Sequence, residues 1–141
     1  MSRRSGWRYT EREAAGLAWV DEIFDRAEKS GAAGVVLGMQ ADMWDPTAEQ
    51  SAFGPYKEKI AERADAFGKP VLLFEGDSHV LTVDRPAGMP SNLTRVVVQG
   101  STTVPHEWLR LHVDRKGPEV FSCEIVPFGG DAHPCPAPLG S

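Results

Sequence analysis

Two cysteines and four histidines, with none of the histidines before position 79, leave this 141-residue chain little material for a soft-metal centre. Cys123 and Cys135 have no CxxC or CxxH neighbour, so the spacing of a zinc site is missing. Cys123 sits in a strand-like segment and reads as a core thiol; Cys135 sits in a Pro-rich tail and reads as incidental. No apolar run approaches the roughly 20 residues that span a bilayer. Arg3-Arg4 is not followed by an apolar stretch, so it is no secretion signal. With no span and no signal, a cytoplasmic location is the default expectation. Excess positive charge is lacking as well. Fifteen Lys and Arg stand against twenty Asp and Glu, a net charge of −5, which argues against a broad nucleic-acid footprint. Arg3, Arg4, Arg8 and Arg12 are interrupted by Trp7 and Tyr9, and residues 1–9 read as a flexible, solvated N-terminus.

What is present is the composition of one ordinary globular domain, 41% hydrophobic and 25% charged. Thr10-Glu11-Arg12-Glu13 has the form of a capping box, with Thr10 as N-cap. Leu17, Val20, Phe24 and Ala27 follow at helical spacing, and the helix is expected to stop near Ser30-Gly31. Residues 34–39 form a short apolar run of the kind that makes a buried strand. Pro55 suits a first helical position; Tyr56, Ile60, Ala64 and Phe67 give a buried stripe, and Gly68 a stop. Val71-Leu72-Leu73-Phe74 is a second buried strand. Short strands are expected at 80–83 and 95–99, separated by a Pro/Gly loop. Residues 108–113 and 121–125 alternate apolar and polar side chains about a turn at 114–118, which predicts a hairpin. Residues 129–141 hold three Pro and three Gly and are expected to be disordered.

The unit from residue 34 to 74 carries the functional argument. A strand–helix–strand crossover joins parallel strands with a right-handed connection, so both C-terminal ends reach one edge of the sheet. That edge is where open α/β sheets bind ligands. Gln40-Ala41-Asp42 and Glu75-Gly76-Asp77-Ser78-His79 follow the two strands and are predicted to converge there. Asp77 and His79 can present a carboxylate and an imidazole to one ion. The same residues also make an ordinary turn in which Asp77 caps backbone amides. Asp42 has the same two readings, ligand or loop cap. Trp44, Trp108, His106, His112 and His133 read as packing or solvated residues.

Three segments together resemble the C-terminal region of calcineurin-like metallophosphoesterases, in a bacterial subgroup of that family. They are Leu72 to His79 (LLFEGDSH), Asn92 to Val98 (NLTRVVV) and Glu107 to Asp114 (EWLRLHVD). Val35 to Asp42 fits the strand before them, and the likeness runs from about Glu13 to Phe128. The resemblance implies an α/β fold, a partial sandwich with two parallel strands and a crossover helix followed by antiparallel strands, over residues 10–128. It implies phosphoester substrates and two divalent metal ions at strand ends that activate a bridging water. The family places a His at one strand end and Gly-His-x-His after the next. Here Gln40 stands at the first His and Asp77 at the second, while His79 matches the third. The family's N-terminal Asp-x-His, Gly-Asp-x-x-Asp and Gly-Asn-His-Asp/Glu motifs do not occur in this chain. The expectation is therefore a C-terminal portion, inactive alone, that self-associates or works with a missing N-terminal half. The alternatives are one half of a split-site enzyme, or a non-catalytic domain that binds a ligand or partner at the same edge. No membrane partner is expected.

Overall fold

The structure is a computed structural model that describes residues 3–47, 50–102 and 104–140. Helix α1 (Arg3–Ser30) is followed by strand β1 (Val35–Gly38), a 3-10 turn (Gln50–Phe53), helix α2 (Gly54–Phe67) and strand β2 (Val71–Glu75). The chain then continues through β3 (Thr82–Asp84), β4 (Leu93–Val97), β5 (Glu107–Val113), β6 (Phe121–Pro127) and β7 (His133–Pro134). This is a mixed α/β fold with two sheets, ordered β1-β2-β4-β3 and β5-β6-β7. Among the described residues no helix is long and apolar enough to cross a membrane.

The crossover behaves as its pattern predicts. β1 and β2 are parallel, with Val35 opposite Val71 and Gly38 opposite Phe74. Pro55 lies in the first turn of α2. Gly68 ends that helix in the left-handed conformation (φ 66°), its N–H donating to the Ala64 carbonyl oxygen at 3.1 Å. Ile60, Ala64 and Phe67 are its buried face. They meet Val20, Phe24 and Ala27 of α1 over Val35, Leu37, Val71, Leu73 and Leu93 of the sheet. The Phe24 and Phe67 rings cross edge to face at 5.9 Å. Above that seam Asp21 accepts from Lys59 and Arg63, each at 3.0 Å, and Arg63 also reaches Asp25 at 2.6 Å.

Three expectations are corrected. First, α1 begins at Arg3, so Thr10 lies inside the helix and is not its N-cap. A tertiary contact helps to override the local signal: the Tyr9 hydroxyl donates to the Ala52 carbonyl at 3.4 Å. Second, β4 starts at Leu93 and runs parallel to β2, so the sheet has three parallel strands and only β3 is antiparallel. Third, residues 129–140 carry structure. Cys123 and Cys135 form a disulfide, with Cα atoms 5.5 Å apart, and are neither a core thiol nor an incidental one. β7 pairs with β6, and Leu139 is 3% exposed against Leu72, Val96 and Phe121. The Gly140 N–H donates to Thr94 Oγ1 at 3.0 Å. Composition pointed to disorder because Pro and Gly weaken local structure, whereas here one covalent bond and one buried leucine fix the segment.

The expected hairpin is present as β5 and β6, with Glu107 opposite Pro127 and Val113 opposite Phe121. Phe121, Cys123 and Ile125 face inward along β6. We expect Cys135→Ser to lower the unfolding free energy by about 2–4 kcal/mol, because the closed loop restricts the unfolded chain. Thermal unfolding of the variant, beside the parent with and without reductant, checks this. An unchanged midpoint would show that the bond contributes nothing.

Candidate functional site

The C-terminal ends of β1, β2 and β4 reach one edge of the first sheet, and polar residues gather there. The loops after β1 and β2 are joined directly. Gly76 N–H donates to the Gln40 carbonyl at 3.1 Å, and Gln40 Nε2 lies 3.5 Å from Asp77 Oδ1. The Ser78 hydroxyl donates to Asp42 Oδ2 at 2.9 Å. The predicted convergence of the two loops is therefore present, although 37 positions separate Gln40 from Asp77.

The second loop turns sharply. Asp77 (φ 66°) and His79 (φ 59°) both occupy the left-handed region, which costs a non-glycine residue free energy unless its surroundings hold it there. The His79 ring packs against Gly100, where an added Cβ would stand 2.3 Å from His79 Cγ. Glycine at 100 is thus what lets the imidazole take this position. Gln40, Asp77 and His79 are all exposed.

Beneath these loops lies a buried charged cluster that the sequence reading missed. Arg95, in the middle of β4, is 8% exposed. Its Nε and Nη2 grip Asp84 of β3 at 2.8 and 2.7 Å, and its Nη1 donates to Asp42 Oδ1 at 3.1 Å. Asp42 Oδ1 also accepts from the Trp44 N–H at 3.0 Å. Glu75, the last residue of β2, is 1% exposed. Its Oε1 accepts from Met43 N–H at 3.3 Å. Its Oε2 has no hydrogen-bond partner among the described residues and lies 3.7 Å from Arg95 Nη1. Burial pushes the Glu75 carboxyl up to about 7, and the charge of Asp42 adds to that; the Met43 N–H and Arg95 oppose it. Two cations approach the Trp44 ring, Lys57 at 4.8 Å and Arg95 at 5.3 Å from its centroid. Burial lowers the Lys57 ammonium from its usual range. One signal for this cluster was in the sequence: an Arg within an otherwise apolar central strand needs acidic partners.

Gln40 and Asp77 come together, and His79 follows them on the same loop. Asp42 is turned inward to Ser78, Trp44 and Arg95. Among the described residues no group of three or more His, Cys, Asp or Glu side chains is placed to hold a metal ion. Asp77, His79 and the weak amide oxygen of Gln40 are too few donors for a resident two-ion centre. Among the described residues the donor set does not fit that cofactor. On the outer face of the second sheet, His112 Nε2 lies 2.9 Å from Glu124 Oε2, and Arg110 stacks on the exposed Trp108 ring at 5.1 Å. No family model matches this chain, and no curated protein matches it.

Proposed function

We propose that this chain is the C-terminal portion of a metal-dependent phosphoesterase-like hydrolase, its two sheets forming part of that family's sandwich, and that it does not turn over substrate alone. The observation that carries the reading is the junction of the post-β1 and post-β2 loops. Gln40 and Asp77 meet there, and His79 is held in a left-handed backbone conformation on the same sheet edge. Backbone strain of this kind clusters at functional sites. The donors are too few to hold the family's metals, so the remaining ligands must come from a second segment. The role of these residues is to position groups at the edge of a site completed elsewhere.

Mixing is the decisive test. The chain alone, assayed on an aryl phosphate mono- or diester with Mn²⁺, Mg²⁺ or Zn²⁺, should give only background hydrolysis. Combined with a separately expressed N-terminal half bearing the Asp-x-His and Gly-Asn-His motifs, it should give metal-dependent turnover that His79→Ala abolishes. Turnover by the chain alone, or none from the mixture, overturns the reading. One observation favours a non-catalytic ligand-binding domain instead: Asp42 is neutralised by Arg95 and capped by Ser78, so it has no free oxygen facing outward.

A further inference from the structure

Residues 129–140 run along the flank of β6 as a strap whose regular structure, β7, is two residues long. Just past β7 the Cys135 N–H donates to the Cys123 carbonyl at 3.0 Å. Backbone groups alternate in direction along a strand, so an N–H at 134 or 136 would point away from β6. Both positions are proline, which has no N–H to present there. The strap thus covers the edge of the second sheet without offering donors on its own outer side.

Among the described residues the strap past β7 is held at two places. One is Cys135, through its bond to Cys123. The other is the end, where Leu139 enters the cluster of Leu72, Val96 and Phe121 and the Gly140 N–H reaches Thr94. The bond stands between β7 and that end, so it keeps Leu139 within reach of its seat. Gly129, Gly130 and Gly140 make the strap costly to order by any other means. The bond is also reachable. It lines an open cavity, with Glu119, Ser122, Pro134 and Pro136 around it. Cys123 is 7% exposed and Cys135 is half-buried, so the approach to the bond is from the Cys135 side.

We propose that the Cys123–Cys135 bond is a redox-operated latch: a dithiol reductant opens it, and residues 129–140 then leave the second sheet while the rest of the chain stays folded. One thiolate of the dithiol attacks Cys135 Sγ and forms a mixed disulfide. The Cys123 sulfur leaves as a thiolate and takes up a proton. The second thiolate of the dithiol then closes on the first, forming the reductant's own disulfide and releasing Cys135. Two electrons pass from the dithiol to the chain, and the bond ends as two thiols. The first core, built from α1, α2, β1 and β2, contains neither cysteine nor Leu139 and keeps its packing.

Amide hydrogen exchange on the full chain, oxidised and then treated with excess dithiothreitol without denaturant, tests this. The reduced chain should exchange the Cys135 and Gly140 amides about tenfold faster or more. The amides of Val35 and Val71, which donate to Pro70 and Asn92 in the first sheet, should keep their protection. Removing the dithiol and adding glutathione disulfide should restore the slow exchange. Cys135→Ser should show the fast exchange with no reductant present. The dithiol-treated parent carries no substitution, so it decides the matter even if that variant fails to fold. A bond that dithiothreitol reduces only in denaturant overturns the proposal, as does a reduced chain that still protects Cys135 and Gly140. Loss of protection at Val35 and Val71 together with the strap also overturns it, because the bond would then hold the whole fold.

Discussion

Arg95→Met should lower the unfolding free energy by about 3–5 kcal/mol at pH 8, the range expected when one partner of a buried ion pair is removed. The arginine pairs with Asp42, Glu75 and Asp84 and ties the three carboxylates together. Asp42 and Glu75 have side chains only 9% and 0% exposed, so their charges cannot turn to water once it is gone. Asp84, 40% exposed, can rehydrate and contributes less. Methionine keeps much of the length and apolar stem of arginine, so the loss reports charge more than a cavity. The penalty should shrink near pH 5, where Glu75 is protonated. Urea unfolding at the two pH values is the measurement. A loss below about 1 kcal/mol at pH 8 would mean that the cluster reaches water in ways its burial does not suggest.

Glu75→Gln should act in the opposite direction. The folded chain holds the Glu75 proton up to about pH 7, whereas the unfolded chain releases it near the ordinary value of 4.5. Between those values the folded state binds more protons, so stability falls as pH rises through the window and levels off above it. The fall is on the order of 3 kcal/mol, since each pKa unit corresponds to about 1.4 kcal/mol. Glutamine has nearly the same shape and no proton to lose. The variant should therefore match the parent near pH 5, exceed it at pH 8 and lack the downward slope. A parent whose stability rises from pH 5 to 8 in step with the variant would show that Glu75 is already ionised at pH 5.

The elements that could be read from sequence are those whose signals are local. α2 shows its Pro, its stripe at 60, 64 and 67 and its terminal Gly68 within fifteen residues. The β5–β6 hairpin shows its alternation in the same way. The parallel relation of β1 and β2 followed from a handedness rule, and it correctly brought Gln40 and Asp77 to one edge. The charged cluster was not readable because its partners lie far apart in the chain: Arg95 is 53 positions from Asp42 and 11 from Asp84. An Arg inside the apolar run at 95–98 signals a need for acidic partners, but nothing local says which carboxylates supply them. Glu75 follows the apolar run at 71–74 and reads as a loop residue, but β2 runs one residue further. The order of the tail is not local: it comes from the bond to Cys123, in another strand, and from the face that Leu139 covers.

That tail also sets the order in which the molecule can be completed. Synthesis from the N-terminus releases α1, β1, α2 and β2 first, and their shared core can close while later residues are still being made. The second core cannot, because Leu139 and the Gly140 contact to Thr94 bring its last pieces. Until residue 139 has emerged, Leu72 and Val96 lack one of the side chains that cover them. A chaperone that binds apolar surface should therefore engage nascent chains halted before β7 more strongly than chains carried past residue 140.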